Sequence, residues 1–392
     1  MSLFLNPRVI TLAALTSVAP FAIDTYLPAF HMLSEDLLAS PEAIQQTLTF
    51  YLLPYTLMLL FHGPISDGIG RIKTMQWGLL LFFFASIGCA LSTTIESLWF
   101  FRALQGIGGG AGSVVARAMV RDLYEGAEAQ RVMATVQILF GIAPAIAPMI
   151  GGLLLGFHWQ GIFIFLALYA AVSIYMGSKI LPETMTKNML VPITFTGIIE
   201  RYKSLLINKE FILLILSVSA NFSAFFIYVL ASPVFLIDHL GFTAQQFGYL
   251  FIPTVSGMLI GSFISKKTAG VIKPSSVLKF GYYFMFCIAL SNLLFCSFMP
   301  DNAFFNIGFI ALYNIGMASV MPIISLAGLD CFPKIRGTAA SAQAFTQMLF
   351  ASATAGILVP IVWFSTFGLS LGLFFLISFG LFTITKTNLW NK

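Results

Sequence analysis

Residues Phe21-Ala-Ile-Asp-Thr-Tyr-Leu-Pro-Ala-Phe30 set one carboxylate, Asp24, inside an apolar run that carries no other charge from Val9 to Phe30. At about 1.5 Å per helical residue, these about 22 residues approach the ~30 Å of a bilayer's hydrocarbon core. The run reads as a membrane span with an acid inside it. A charge at that depth costs on the order of 2.5 to 3.5 kcal/mol by insertion scales, so an intramembrane acid has a partner, faces a wet cavity or exchanges a proton. Asp24 is the first candidate functional residue. The plainer alternative is a carboxylate neutralised by a buried partner and kept for packing alone.

The rest of the chain has the same character. Of 392 residues, 58% are hydrophobic and 9% charged, too few charges to cover a soluble globule of this size. The expected fold class is an all-α membrane protein with many spans. A net charge of +5 does not mark a nucleic-acid surface, because the basic residues are scattered among hydrophobic runs. Cys89, Cys287, Cys296 and Cys331 show no Cys-x-x-Cys spacing, so neither a disulfide framework nor a metal site is indicated. Arg8, the apolar stretch after it and Ser17-Val18-Ala19 imitate a signal peptide. Pro20 directly after the would-be cleavage point, and apolar continuation to Phe30, favour a retained first span.

Apolar runs of about 20 residues bounded by charge or turn residues place spans near 9–30, 43–66, 74–94, 97–119, 132–157 and 159–181. A second series follows near 211–237, 244–265, 277–299, 303–329, 338–363 and 364–385. The last two divide at Ser365–Gly368, a small and polar turn candidate. Twelve transmembrane helices are expected, in a six-helix lobe over residues 1–181 and another over 210–392, joined by a polar linker at 182–209. That is the pattern of a two-lobed transporter with a cavity between lobes. Internal repetition supports it weakly: Gly63-Pro-Ile-Ser-Asp-Gly-Ile-Gly-Arg-Ile-Lys73 after span 2 is echoed by Gly261-Ser-Phe-Ile-Ser-Lys-Lys-Thr-Ala-Gly-Val-Ile-Lys273 after span 8, without the acid. With the N-terminus inside, the inner connections hold Arg71, Lys73, Arg117, Arg121, Arg131, Lys266, Lys267, Lys273, Lys334 and Arg336 among others, with Lys392 at the inner end. The outer connections hold no Lys or Arg but carry Glu35, Asp36, Glu42, Glu96, Asp238 and Asp301. This bias predicts that both termini are cytoplasmic.

Arg102 is the one basic residue left inside a span. It lies about 6 residues past Glu96 and Asp24 about 7 before His31, so both sit roughly 10 Å below the outer surface, at a depth where they could meet. An opposite charge nearby favours an ionised carboxylate and desolvation a neutral one; balanced, they give a proton site that works near ambient pH. The alternative is an arginine that snorkels to the outer interface. Gly106 to Ala111 formally fits a dinucleotide fingerprint. It lies inside an apolar span rather than after a strand, so the glycines read instead as a close-packing helix face. Tyr26, Tyr51, Tyr55, Gln105, Gln137 and Asn221 are polar residues within spans, candidates for lining a cavity or for hydrogen bonds between helices.

The connection Gly63–Lys73 resembles the signature loop of the major facilitator superfamily, G-x-L-x-D-R-x-G-R-[RK], through Gly63, Ile65, Asp67, Gly70 and Arg71. Gly68 and Ile72 replace the two usual basic residues. The resemblance implies a cytoplasmic gate in which Asp67 faces the start of span 11 near Thr338 and Arg71 bridges it to Asp122; a solvated charge cluster is the alternative. Arg102, Gln105 and Gly106 are similar to the superfamily's R-x-x-Q-G pattern. Pro148, Gly151 and Gly152 match its antiporter motif G-P-x-x-G-G, with Ala143 and Ala147 where glycine is commoner. With Asp24-Thr-Tyr-Leu-Pro28 added, the whole chain resembles the Bcr/CflA drug-resistance branch.

That resemblance implies a multi-pass carrier of a bacterial inner membrane that exports small hydrophobic compounds by proton antiport with alternating access. Asp24 is then the proton and substrate switch, tuned by Arg102. Its partners are a small-molecule substrate and the bilayer, with no nucleic acid, and the state expected is a monomer. Protons are the coupling ion, and no cofactor or metal is expected. Export of one native metabolite, such as a siderophore or a peptide-derived product, is the alternative. An enzyme is disfavoured, since the spans hold no second carboxylate beside Asp24 and no His pair at ligand spacing. The charge census makes a direct prediction: single cysteines at Ser34 and Ser204, in a background without the native four, are labelled by an impermeant thiol reagent from opposite faces in intact cells. Labelling of Ser204→Cys from outside overturns the orientation.

Overall fold

The computed structural model describes residues 5–232, 234–242, 248–299 and 302–391. The expected start of span 8 at residue 244, and Asp301 and Lys392 of the charge census, lie outside the described residues. The first series of helices is α1 (Pro7–Asp24), α2 (Phe30–Asp36), α3 (Pro41–Ile69), α4 (Arg71–Ala90), α5 (Ile95–Gly109), α6 (Ala111–Leu123), α7 (Gly126–Leu154) and α8 (Gln160–Ile180). The second is α9 (Phe195–Ile207), α10 (Lys209–Leu230), α11 (Gly248–Thr268), α12 (Pro274–Phe298), α13 (Ala303–Asp330), α14 (Arg336–Ala353), α15 (Val359–Val362), α16 (Thr366–Thr385) and α17 (Asn388–Asn391). Among the described residues no β-strand forms.

Local chemistry sets many of these starts. Asn6, Ser40, Asn208, Asn302 and Ser365 each accept a first-turn amide at 3.0 to 3.3 Å, meeting donors that a helix leaves unpaired at its N-terminus. The Ser365 cap falls where spans 11 and 12 were expected to divide. Gly70, at φ +101°, turns the chain from α3 into α4 with a backbone conformation that suits glycine.

Among the described residues, ten spans are long and apolar enough to cross a membrane, or eleven if α7, bent by 40°, is one. Expected span 4 is the one missing from this count, because a turn at Gly110 divides it into α5 and α6, of 15 and 13 residues. Gly110 keeps right-handed helical angles (φ −80°, ψ −20°), so the interruption is slight. Span 1 is longer than expected, Pro7–Asp36, and it breaks: α1 ends at Asp24, and a short 3-10 turn at Leu27–Ala29 leads into α2.

By packing, the chain forms two compact units. The first comprises Met1–Tyr124, Leu139–Tyr202 and Phe332–Phe345, and the second Glu125–Ile138, Lys203–Cys331 and Thr346–Lys392. This differs from a division at residues 181 and 210. The start of α7 packs with the second unit, the start of α14 with the first, and the linker as far as Tyr202 with the first. In the first unit α3 packs on α5, α4 on α5 and α8, and α1 on α6 and α8. In the second, α10, α11, α12, α13 and α16 enclose an apolar core that includes Leu278, Met285, Met317 and Ile377.

The glycine run of span 4 serves three neighbours rather than one. A Cβ at Gly106 would stand 2.2 Å from the Tyr51 carbonyl oxygen of α3, at Gly108 2.3 Å from the Gly78 carbonyl of α4, and at Gly112 2.7 Å from the Leu15 carbonyl of α1. These backbones touch because no side chain separates them. Gly106→Val therefore forces α5 away from α3, and the expected loss is about 1 to 3 kcal/mol. Thermal unfolding of the detergent-purified protein should show a lower midpoint for Gly106→Val and little change for Gly152→Val, where a Cβ meets nothing within 4 Å. Equal midpoints for the two variants would contradict the packing.

Candidate functional site

Two sites in the first unit gather the residues singled out by sequence. The first is the break in span 1. Thr25 turns its amide and its hydroxyl back to the Phe21 carbonyl, and Tyr26 donates or accepts with Thr47 at 2.8 Å. Arg102 reaches this break from α5. Its Nη1 donates to the Ala22 carbonyl of α1 at 3.2 Å and to Gln105 Oε1 at 2.8 Å. Gln105 Nε2 in turn donates to Ser86 Oγ of α4 at 2.7 Å. The guanidinium carbon lies 4.7 Å from the centre of the Tyr26 ring and 4.5 Å from that of Tyr51.

Arg102 is fully buried, so it does not snorkel. Nor does it pair with Asp24. The two residues share a depth but form no ion pair: the cation is held between two aromatic faces and donates to the Ala22 carbonyl near the end of α1 and to Gln105. Both are favourable for a desolvated arginine: a cation–π contact contributes about 2 kcal/mol or more in such a setting, and a helix C-terminus attracts positive charge. Arg102 Nε and Nη2 keep no hydrogen-bond partner. Asp24, half-buried, makes no hydrogen bond or ion pair among the described residues, and the equally unpartnered Tyr51 hydroxyl lies within electrostatic reach of it.

Other candidates distribute as follows. Gly151 of α7 backs onto this break, where a Cβ would stand 2.1 Å from the Thr25 carbonyl oxygen; Pro148 is half-buried and Gly152 exposed. The side chains of Pro144 and Ala145 lie outside the described residues. Tyr55 stacks on Tyr51 and lies against Arg117 and Ser113. Arg117, counted above with a connection, sits within α6. Tyr26, Gln105 and Asn221 are taken up in contacts between helices. In the second unit Asn221 Nδ2 donates to the Tyr282 hydroxyl at 2.8 Å and its carbonyl accepts from Tyr313 at 3.2 Å. Half-buried Gln137 leaves its Oε1 unpartnered.

The second site is an ion cluster built on the signature loop. Asp67, at the last turn of α3, faces the N-terminus of α14. Its Oδ1 accepts from Gly337 N at 2.9 Å and Arg71 Nη1 at 2.7 Å, and its Oδ2 accepts from Thr338 N at 2.7 Å and Thr338 Oγ1 at 2.6 Å. Arg71 Nε continues to Asp122 Oδ2 at 3.0 Å, and Arg336 Nη1 reaches Asp122 Oδ1 at 3.0 Å. Asp67 and Arg71 are 0% and 1% exposed, so the cluster is not a solvated one. A carboxylate on free helix amides satisfies orphan donors and the helix dipole together. Gly63 allows this approach, since a Cβ there would stand 2.0 Å from the Gly337 carbonyl oxygen.

Sequence reading missed Arg336, Thr338 as a side-chain donor, and Glu183. Glu183 accepts from the Arg71 and Ile72 amides at 3.0 Å each and so caps α4 as Asp67 caps α14. An acid just past the end of span 6, and a Lys-Ile-Arg-Gly-Thr run opening span 11, were the available signals. Gly68, the departure from the superfamily pattern, has a packing reason. The linker crosses it, with Ile193 Cγ1 at 2.2 Å and the Val191 carbonyl at 3.0 Å from a Cβ there. Val191 N also donates to the Asp67 carbonyl at 3.0 Å, and Arg201 of α9 to the Pro192 carbonyl.

The repeated loop forms a counterpart without an acid within the second unit. Ser265, four residues after Gly261 as Asp67 is after Gly63, accepts from Gln130 Nε2 of α7 at 3.1 Å through its carbonyl and 3.3 Å through its hydroxyl. Arg131 Nη2 donates to the Ala269 carbonyl at 2.7 Å. The loop without an acid thus meets side-chain donors from α7 instead of bare helix amides.

Repeated long helices, a broken first span and paired loop contacts at helix starts define a polytopic membrane carrier. A family model described as Major Facilitator Superfamily matches residues 12–356. A bicyclomycin resistance protein homolog of Haemophilus influenzae is 30% identical over 338 residues, covering 85% of this chain and 84% of that protein. Multidrug resistance protein D of Escherichia coli is 27% identical over 337 residues, covering 84% and 82%. Among solved structures, a bacterial homologue of the iron transporter ferroportin in an outward-facing state superposes with a TM-score of 0.74 at 13% identity, covering 98% and 99%. The chain belongs to the major facilitator superfamily, in its Bcr/CflA-type drug-resistance branch, and is a transporter rather than an enzyme.

Asp67→Ala strips Arg71 of one partner and orphans the donors of α14. The expected loss is about 3 to 5 kcal/mol, as for breaking a buried pair from one side. Asp67→Asn, which keeps an acceptor oxygen, should lose less. Thermal unfolding in detergent orders the two variants, and an Asp67→Ala midpoint equal to the parent's would remove the cluster from the stability of the fold.

Proposed function

We propose that the chain exports small, mostly hydrophobic organic compounds in exchange for protons by alternating access. The observation that carries this reading is Asp24: a half-buried carboxylate at a helix break, free of hydrogen bonds and ion pairs among the described residues. Discontinuous helices are where carriers of this architecture bind substrates and coupling ions. An intramembrane acid without a fixed partner is suited to gain and lose a proton as its surroundings alternate between substrate and water. The names of the relatives, bicyclomycin resistance and multidrug resistance, support drugs as the substrate class.

In this reading substrate arriving from the cytoplasm favours deprotonated Asp24, and a proton from outside displaces the substrate and resets the carrier. Arg102 acts on Asp24 indirectly, by holding the end of α1 in place. Gly151 lets α7 follow the break as the spans tilt. Asp67, Arg71 and Asp122, with Arg336, form the cytoplasmic gate, and Asp67→Asn should slow turnover about tenfold, or about 1.4 kcal/mol in barrier. Twelve spans, with α5 and α6 forming one, two six-helix lobes and cytoplasmic termini complete the proposal. It operates as a monomer in a bacterial inner membrane, with protons as its only coupling ion.

The test is Asp24→Asn in inverted membrane vesicles, read as collapse of a pre-formed pH gradient on adding compounds across about pH 6 to 9. The variant should insert in normal amounts, bind compound and release no protons at any pH. Normal gradient-dependent export by Asp24→Asn would remove Asp24 from the mechanism.

A further inference from the structure

We propose that a groove between α11, α12 and α13 binds one anionic phospholipid, with an acyl chain in the groove and the phosphate headgroup on Lys267 and Lys273. The site shares no residue with those around Asp24 or with the gate, and does not depend on the export reading. The groove holds a cavity of about 550 Å³ lined by Ile264, Ile272, Phe280, Phe284, Ile315 and Gly316 among others. It exists because glycines let side chains of the facing helix seat closely between α12 and α13. A Cβ at Gly281 would stand 2.4 Å from Val320 Cγ1, and one at Gly316 2.5 Å from Met285 Cγ, so the helices close at depth and leave an open furrow beside them.

Apart from the hydroxyls of Thr268, Ser276 and Ser319 its lining is apolar, which suits an acyl chain. Phe280 is 74% exposed, and so is much of the loop at the groove's end, where Val271 is 78% exposed. Two exposed valine and isoleucine side chains on a loop between lysines are a poor surface for water and a good one for a membrane interface.

Charge selects the headgroup. Between Asp238 and Asp301 the chain has no Asp or Glu, yet it carries Lys266, Lys267, Lys273 and Lys279. Lys267 directly precedes Thr268 and Lys273 directly follows Ile272, both groove residues. The Lys267 ammonium lies over the exposed Phe263 ring at 4.8 Å, which holds its charge at the apolar surface next to the groove residue Ile264. Lys273 forms no ion pair among the described residues and also borders a neighbouring cavity that includes Asp330. Lys279 is turned to Trp390, at 5.9 Å, and is not part of the site. A basic rim at the end of an apolar interhelical groove is the chemistry that retains an acidic lipid.

Native mass spectrometry of the full-length protein in detergent, titrated with dioleoyl phosphatidylglycerol or dioleoyl phosphatidylcholine, tests the site. The parent should retain phosphatidylglycerol about ten-fold better, and Lys267→Gln with Lys273→Gln should erase that preference while leaving a folded protein. Ile272→Trp, which fills the groove mouth, should lower retention of both lipids. Glycerol phosphate should not compete, because it lacks the chains. Equal retention of the two lipids by the parent, an undiminished preference in the double variant, unchanged retention by Ile272→Trp, or displacement by glycerol phosphate would each overturn the proposal.

Discussion

In a bilayer's core no water is available to a backbone amide or carbonyl, so every interruption of a helix has to be satisfied by protein. The break after Asp24 shows how far that constraint reaches. The Phe21 carbonyl takes two donors from Thr25, and the Ala22 carbonyl is met by Arg102 from another helix. Arg102 is in turn held by Gln105 and two tyrosine faces, and Gln105 by Ser86. A buried arginine that looks like a partner for Asp24 is thus occupied in supporting the backbone beside it. That leaves the carboxylate unclaimed.

The same physics governs the ion cluster with the signs reversed. Helix starts present bare amides, and acids from elsewhere in the chain meet them: Asp67 on α14 and Glu183 on α4. Each acid sits close because glycine is beside it, Gly63 against Gly337 and Gly70 under Glu183. Arg71 then ties one acid to Asp122, and Arg336 adds a second cation. Removing one member of such a buried arrangement is costly, because it leaves the others unpaired away from water.

Several features were legible without coordinates. Composition alone requires a membrane protein, and the Lys and Arg asymmetry predicts its orientation. The Asp67–Arg71–Asp122 contact and its docking on the start of span 11 were expected only through the resemblance of the Gly63–Lys73 loop to the superfamily signature; the loop itself offers an acid with an arginine at i+4. Asp24 stands out because a charge is rare in such a run. The division near Ser365 was readable from its small and polar turn residues.

Tertiary structure decided the rest, because it depends on which surfaces meet. Depth counted along two helices brought Asp24 and Arg102 to one level but carried no information about rotation, and rotation turns Arg102 onto the tyrosine rings and the Ala22 carbonyl. Glycines four apart marked close packing, yet only the fold assigns Gly106, Gly108 and Gly112 to three different helices. Gly68 read as a departure from pattern until the linker was seen to cross it, a contact spanning more than a hundred residues of chain. Local pattern determined which residues are buried, charged or helical. Pairing between distant segments is set by side-chain volume and helix rotation, which no single stretch of sequence encodes.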